Sequence, residues 1–476
     1  MKKKLISLGL VTALTLGLIT GCGGGSTGGG SSAGGSGSGS AAGASGAAAA
    51  PAAGAAAANT ASSGGEVSLL VKVPSLTMST PADPDINIAE QFLIKAAEDF
   101  SAQYDGAKVS IEVREFNQED ETASIPGCFE TEDAADVVYA GYFNIATYIH
   151  SGYVTPIDDI ITDEMKADIN DSWWESSKLN GKTYMMPFLG LENVLAFNKQ
   201  MFRDAGLDKY VLDEDVVQNW SIDEWNDILA ALRASLPDTS YPMMMYAGDN
   251  QADTHIMTLL RMFGCKFFDE NGHLIIESEE GMKALQWIRD GFEAGYFPSN
   301  AEDLVSNDVF NAFLAGQIGI IFNNAALDVS MTEKQEIGYV NFPSVNGKGL
   351  NTTFVTGFQV YDNGDPAKVQ AAKDFVKYIY ESDYIYYSAG GIPASDKVSA
   401  KYADELAFLQ KYIDVSDCGV NFTGNQPNWR GVRANFYPHI QDLLFGEKDI
   451  ETVAKELDAD CSAAIDEGYA DSKLHE

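Results

Sequence analysis

From residue 66 to residue 476 the chain alternates short, apolar, β-branched runs with longer amphipathic ones. This alternation restricts it to an α/β architecture with largely parallel strands. Residues 67–73 (VSLLVKV) predict a first strand, ended by Pro74. Residues 89–103 carry Phe92, Ala96 and Phe100 at a spacing of four, with Gly106 just beyond, and predict a helix. Residues 109–113 alternate as a second strand, and 136–139 (DVVY) form a compact apolar third one. Ser221 and Glu224 make a capping box ahead of the apolar face Ile222, Trp225, Ile228, Leu229 and Leu232. Later runs predict a helix over 281–292, another ending near Gly316, strands at 318–322, 338–342 and 354–361, and a helix over 367–381. Two helices close the chain, the first opened by Asn428 and stopped by Gly446, the second capped by Asp449.

Ahead of this part the sequence has a different character. Lys2, Lys3 and Lys4 precede a short apolar core over residues 5–19, and Leu18-Ile19-Thr20-Gly21-Cys22 follows. The apolar run is short for a bilayer span and is flanked like a cleavable signal. Its end resembles the lipobox of bacterial lipoproteins, which implies cleavage after residue 21 and lipidation of Cys22. Residues 23–65 are almost wholly Gly, Ser and Ala, without a charge or an aromatic ring. Such a segment cannot offset its ordering entropy by burial and is expected to be a flexible tether with a reach of roughly 35 Å.

Charge narrows the function. The chain has 31 basic and 69 acidic residues; without Lys2, Lys3 and Lys4 it keeps 28 basic ones and a net charge of −41. Phosphate backbones would be repelled, so nucleic acid is excluded as a partner, and anionic ligands gain no steering. The acidity reads as a solvated surface in preference to a cation-binding role. Cys128, Cys265, Cys418 and Cys461 are scattered and allow two disulfides in any of three pairings, or none. No CxxC pair and no HExxH arrangement points to a metal, and Asp83, Asp85 and Asn87 lack the glycine and glutamate that an EF-hand needs at residues 88 and 94. No cofactor is implied.

Six stretches, in order, carry a family resemblance. They are Asp136-Val137-Val138-Tyr139 with residues 151–158 (SGYVTPID), residues 181–188 (GKTYMMPF), residues 197–207 (FNKQMFRDAGL), residues 313–319 (FLAGQIG), residues 338–343, and Trp429-Arg430-Gly431-Val432-Arg433 with residues 444–447. Together they resemble the extracellular solute-binding proteins of sugar ABC importers, the group that includes the maltose-binding proteins. The resemblance implies a periplasmic-binding-protein-like fold of type II, with two hinge-linked α/β lobes that close on a ligand. It places residues 66–187 and 331–385 in one lobe and 188–330 and 386–476 in the other. It also implies a monomer that carries out no chemistry, is held at the outer face of the cell membrane by its lipid, and passes its solute to the transmembrane subunits of an ABC permease.

A sugar presents apolar C–H faces and a rim of hydroxyls, so its site needs flat aromatic surfaces and planar amides or carboxylates. Ligands of open α/β sheets bind beyond the carboxyl ends of strands, which the sequence puts at residues 74–77, 140–144, 322–324 and 356–358. The candidates are therefore Ser75, Tyr142, Phe143, Asn144, Asn323, Asn324 and Phe358. The resemblance adds Trp429 as the ligand-stacking tryptophan, and Phe188, Asp249 and Asn250 from the crossover and second-lobe loops, with Met186 beside them. Trp173-Trp174 reads as core packing, as does Tyr386-Tyr387. A binding protein of the same fold for a peptide or polyamine is the second reading, and a lipid-anchored glycoside hydrolase the third.

Overall fold

The computed structural model describes residues 65–76, 85–105, 108–117, 120–382, 391–421 and 423–474. The signal, Cys22, the tether, Asp83 and Tyr386-Tyr387 lie outside them. The strands, in chain order, are β1 (Glu66–Pro74), β2 (Lys108–Phe116), β3 (Val137–Ala140), β4 (Lys178–Leu179), β5 (Lys182–Thr183), β6 (Met186–Asn198), β7 (Val217–Gln218), β8 (Tyr241–Met243), β9 (Ile318–Asn323), β10 (Ile337–Val340), β11 (Asn351–Val360), β12 (Ile392–Pro393) and β13 (Gly419–Val420). The hairpin β4–β5 stands alone and the others join in one hydrogen-bonded network.

That network is two sheets sharing β6. Thirteen residues long, β6 reaches roughly 43 Å. Its first part, residues 186–193, pairs antiparallel with β11, which continues through β3 to the parallel pair β1 and β2. Its second part, residues 194–198, pairs antiparallel with β9 and β10, to which β8 and β7 add in parallel. The sequence MPFLGLENVLAFN is almost uniformly apolar, as a strand covered on both faces requires, and its lack of alternation hides it from a period-two search. Pro187, a poor residue for a central strand, sits where the register with β11 shifts between Thr356 and Gly357, so its missing N–H falls at a bulge. Gly190 is needed as glycine: a Cβ there would lie 2.3 Å from the indole of Trp173, which crosses the strand.

Each half of β6 has its own core. The first gathers Leu69, Val71, Phe92, Phe100, Val137, Trp173, Trp174, Phe188, Phe358 and Phe375. The second gathers Leu195, Phe197, Trp225, Ile228, Leu229, Ile256, Leu260, Phe313, Trp429 and Phe436. The buried side chains sort differently from the ranges 331–385 and 386–476. Met331, Ile337, Tyr339, Val340 and Phe342 pack in the second core, while Ile392, Ala394, Val398, Leu406, Leu409, Tyr412 and Val415 pack in the first. Strand pairing is the reason: β10 bonds to the second half of β6 and β12 to the first. The chain thus crosses between lobes at β6, again ahead of β11, and a third time between Val415 and Trp429.

The predicted helix signals do their work. Ser221 and Glu224 cap each other across the first turn of Ile222–Ser235. Asn428 accepts from the Gly431 N–H at the start of Trp429–Phe445, Gly446 ends that helix in the left-handed conformation, and Asp449 caps Ile450–Ala470. All four cysteines beyond Cys22 are free thiols. Among the described residues no helix is long and apolar enough to cross a membrane.

At the crossing, Glu192 of β6 is 1 % exposed and accepts a 2.7 Å hydrogen bond from the Thr353 hydroxyl of β11, its cross-strand partner. Its second oxygen, Oε1, is buried on the side of the Trp173 indole, which with the Thr353 hydroxyl favours the charged form. Burial pushes the carboxyl up to about 8, and the charge of Asp417 adds to the rise. A carboxyl raised on folding binds more protons in the native state, so its contribution is full below about 4.5 and is lost as pH rises through about 8. Urea denaturation of the wild type should therefore weaken over that window, by up to ~1.4 kcal/mol per pH unit from this group. Glu192→Gln should remove that slope; parallel curves for the two proteins would contradict the assignment.

Candidate functional site

The loop after β3 turns through a single 3-10 turn, Tyr142–Asn144, and sends two rings across the gap between the lobes. Tyr142 stacks on Phe354 of β11 at 4.9 Å and 29°, and Phe143 meets both edge-on, at 5.3 and 5.5 Å. Although its loop belongs to the first lobe, Tyr142 is buried among the side chains of the second core, and its hydroxyl donates to Asn421 in the third crossing. The second lobe answers with Arg433, whose guanidinium lies 4.4 Å above the Phe143 ring. Around this contact Leu191, Tyr246, Thr254, Phe322, Asn324 and Leu327 close a cavity together with Phe143, Phe354 and Arg433.

Arg433 is held from below. Its guanidinium pairs with Asp253 at 3.0 Å and donates to the Asn250 carbonyl at 3.0 Å. Asp253 is wholly buried and also accepts from the Trp429 indole at 3.2 Å. Burial pushes the Asp253 carboxyl above its usual range and the Arg433 charge opposes this. Trp429 and Arg433 share a helix face because they stand four residues apart. Behind Tyr246 the ring of His255 lies at 4.2 Å, fully buried, and burial lowers it to about 3, so it is neutral.

The predicted residues separate into three groups. Phe143 and Asn324 line the cavity, and Tyr142 packs directly on its wall. Trp429, Asp249, Asn250, Asn323 and Asn144 stand behind it. Trp429 is 0 % exposed, against Phe268 and Asp253, so it positions Arg433 in this conformation and presents no face to the cavity. Asp249 caps the short turn Asn250–Ala252, and Asn323 bonds the Tyr412 hydroxyl. Asn144 donates to Glu121 at 2.7 Å. The third group is remote: Phe188 and Phe358 are first-core rings 5.2 Å apart, Met186 is buried beside them, and Ser75 is exposed on Glu115. Phe358 was two turns of the pleat too far along β11; Phe354, four residues earlier, is the ring that reaches the cavity. Only the pairing of β11 with β6 reveals this. Arg433 was legible as the second arginine of 429–433, but its role needs Asp253, 180 residues away.

The cavity encloses about 30 Å³, room for a water or two. Small-molecule pockets run from roughly 300 to 1,000 Å³, so the cavity in this conformation is too small for such a solute. Several ties hold the lobes together here, among them the Lys411 ammonium on Asp328 at 2.9 Å and two that lie beside the cavity. Glu121 of the first lobe, buried, takes Arg430 of the second at 2.8 Å as well as Asn144 and Tyr148. Beyond Ala470 the chain returns to the first lobe, where the Lys473 N–H donates to the His150 carbonyl and Ser472 meets the His150 ring at Nδ1, both at 2.9 Å. The two ties lie on elements flanking the Tyr142–Asn144 loop.

Against known proteins, residues 84–385 match the family described as bacterial extracellular solute-binding protein. The chain belongs to that family. A binding protein of Brucella abortus (strain 2308) is 20 % identical over 343 residues, covering 70 % of this chain and 80 % of its own. Among solved structures, the sugar-binding protein MalE of the phytopathogen Xanthomonas citri superposes with a TM-score of 0.65 at 13 % identity, over 84 % of this chain and 98 % of that one. The cyclic alpha-maltosyl-1,6-maltose binding protein of Arthrobacter globiformis gives 0.65 at 17 % identity, over 84 % and 99 %. At such identities the superpositions establish the type II two-lobed fold of this solute-binding protein and leave its ligand to the chemistry of the cleft.

Arg433 is the only cation that faces Asp253 directly among the described residues. Removing it as Arg433→Met should cost about 3–5 kcal/mol in urea denaturation, the usual consequence of stranding a buried charge. Asp253→Asn in the same chain should recover much of the loss. A double-mutant cycle with no coupling between the two positions would contradict the pairing.

Proposed function

We propose that this solute-binding protein captures a carbohydrate, of oligosaccharide length, and delivers it to an ABC permease without altering it. The observation that carries the reading is the interlobe cavity, where the rings of Phe143, Phe354, Tyr246 and Phe322 meet the Thr254 hydroxyl and the Asn324 amide. Such a surface offers stacking faces for the apolar side of a sugar ring and partners for its hydroxyls. Among the described residues that line the cavity the one cation is Arg433, and Asp253 already neutralises it, which disfavours an anionic solute. The two solved neighbours are described as binding sugars, which supports the same class.

Closure follows from the geometry. Phe143 belongs to the first lobe and Arg433, Tyr246 and Thr254 to the second, so only a ligand that touches both sets favours the closed state over the open one. Tyr142, Phe143, Asn144, Asn323, Asn324, Asp249, Asn250 and Trp429 make up the site and its support in this reading. Cys22 carries the lipid, residues 23–65 tether the lobes to the outer face of the membrane, and the protein acts as a monomer.

A thermal-shift panel of mono- and oligosaccharides, with polyamines and peptides alongside, tests the reading. A solute that binds only the folded state raises the midpoint by an amount that grows with its concentration over Kd. One glycan series should shift the midpoint selectively, and Phe143→Ala should weaken that glycan roughly tenfold, the equivalent of ~1.4 kcal/mol of lost stacking. A response to polyamines or peptides with none to sugars would keep the fold and replace the ligand class.

A further inference from the structure

The last two helices, Trp429–Phe445 and Ile450–Ala470, bring a second group of polar side chains together well away from the cleft. His439 is 8 % exposed. Its Nε2 lies 2.9 Å from an Asp460 carboxylate oxygen, so in the tautomer that makes this bond Nε2–H donates and Nδ1 is left as a bare lone pair. Nδ1 is buried and has no hydrogen-bond partner. It faces Glu456 Oε2 at 3.8 Å, and ligand atoms of His439, Asp442 and Glu456 all fall within 4.8 Å of one another. Three acceptors therefore converge on one point. The Lys448 ammonium sits there, 2.7 Å from Asp442 and 2.6 Å from Glu456, and serves the two carboxylates while the imidazole goes unserved.

We propose that His439 Nδ1, Asp442 and Glu456 bind a divalent transition-metal ion of the zinc type, with the Lys448 ammonium as the cation it displaces. The chemistry of the donors selects the class. One imidazole nitrogen with two carboxylates suits zinc and its neighbours, whereas calcium and magnesium favour all-oxygen shells. Metal-binding histidines ordinarily donate their other ring N–H to a carboxylate, which fixes the tautomer and orients the lone pair; Asp460 is placed for that role. The two carboxylate side chains are 27 % and 41 % exposed, and the Lys448 side chain 36 %, so the carboxylates can draw inward as the lysine swings to solvent. A bound ion would clip the two terminal helices together. The site stands ten residues from Trp429 on the same helix, about 15 Å along its axis, and does not depend on what the cleft binds.

The test is a calorimetric titration of the chelator-treated full chain with Zn²⁺, repeated on Asp442→Asn, His439→Gln and Lys448→Met. The wild type should take up one ion, with a higher thermal midpoint in its presence. Asp442→Asn, a half-exposed change that spares the core, should weaken that uptake at least roughly tenfold, as should His439→Gln. Lys448→Met should tighten it. Asp442→Asn and Lys448→Met isotherms identical to the wild type would place any zinc elsewhere, on the half-buried thiols Cys128 and Cys418 for example, and overturn the proposal. Absence of uptake by the wild type would overturn it too, whether or not Lys448→Met binds, because the lysine would then be a permanent ion-pair partner.

Discussion

Both lobes depend on β6, because one strand supplies hydrogen bonds to two sheets and side chains to two cores. A strand in that position cannot slip by a residue without turning every side chain on both sides, so the register of each lobe is tied to that of the other. The bulge opposite Gly357 and the indole of Trp173 laid against Gly190 fix the first half of the strand. The pairing of Ile337–Val340 with residues 195–198 fixes the second half. Between them the backbone passes from one core to the other at Glu192 and Asn193, where polar side chains replace apolar ones and bond to β11: Glu192 to the Thr353 hydroxyl, Asn193 to the Thr352 carbonyl.

The cleft inherits its geometry from that passage. Asn193 also accepts from Asn324, whose own oxygen takes the backbone N–H groups of Ala326 and Leu327 and opens the helix Ala325–Thr332. One polar chain thus runs from β11 through the crossing strand to the cavity wall. On the opposite wall, Trp429, Asp253 and Arg433 form a second chain that ends over Phe143. Each chain is buried and paired, which holds the shape of the wall it supports. The contacts that span the lobes beside the cavity are of another kind: Arg433 over the Phe143 ring, Arg430 on Glu121, and the tail beyond Ala470 on His150.

Much of the secondary structure was legible because its signals are local. Asn428, Gly446 and Asp449 mark helix ends whatever lies around them, since capping needs only a few neighbouring residues. The strand Glu66–Pro74 follows from a short apolar, β-branched run stopped by Pro74, and the helix Ala89–Gln103 from its periodicity. β6 escaped that kind of reading, because a strand buried on both faces has no alternation to find. The lobe division escaped as well. Residues 331–342 and 392–415 carry no mark of the lobe they join, which is decided by the half of β6 that their strands pair with.

The sequence by itself determined the α/β class, the helix ends and the family, because capping, periodicity and six ordered motifs are properties of short stretches of chain. It also put Phe143 and Asn324 at strand ends, since these can be read from where apolar runs stop, and both line the cavity. Tertiary structure alone decided which residues line the cavity, which merely stand behind it, and where His439 meets Asp442, Glu456 and Lys448. Trp429 shows why: whether an indole at a helix start faces a ligand or supports an arginine depends on Asp253, which reaches it only when Asp253–Met262 packs against Trp429–Phe445. A side chain's chemistry is written in the chain, but its partner and its exposure are set by what packs against it, which for Trp429 is a segment 176 residues away.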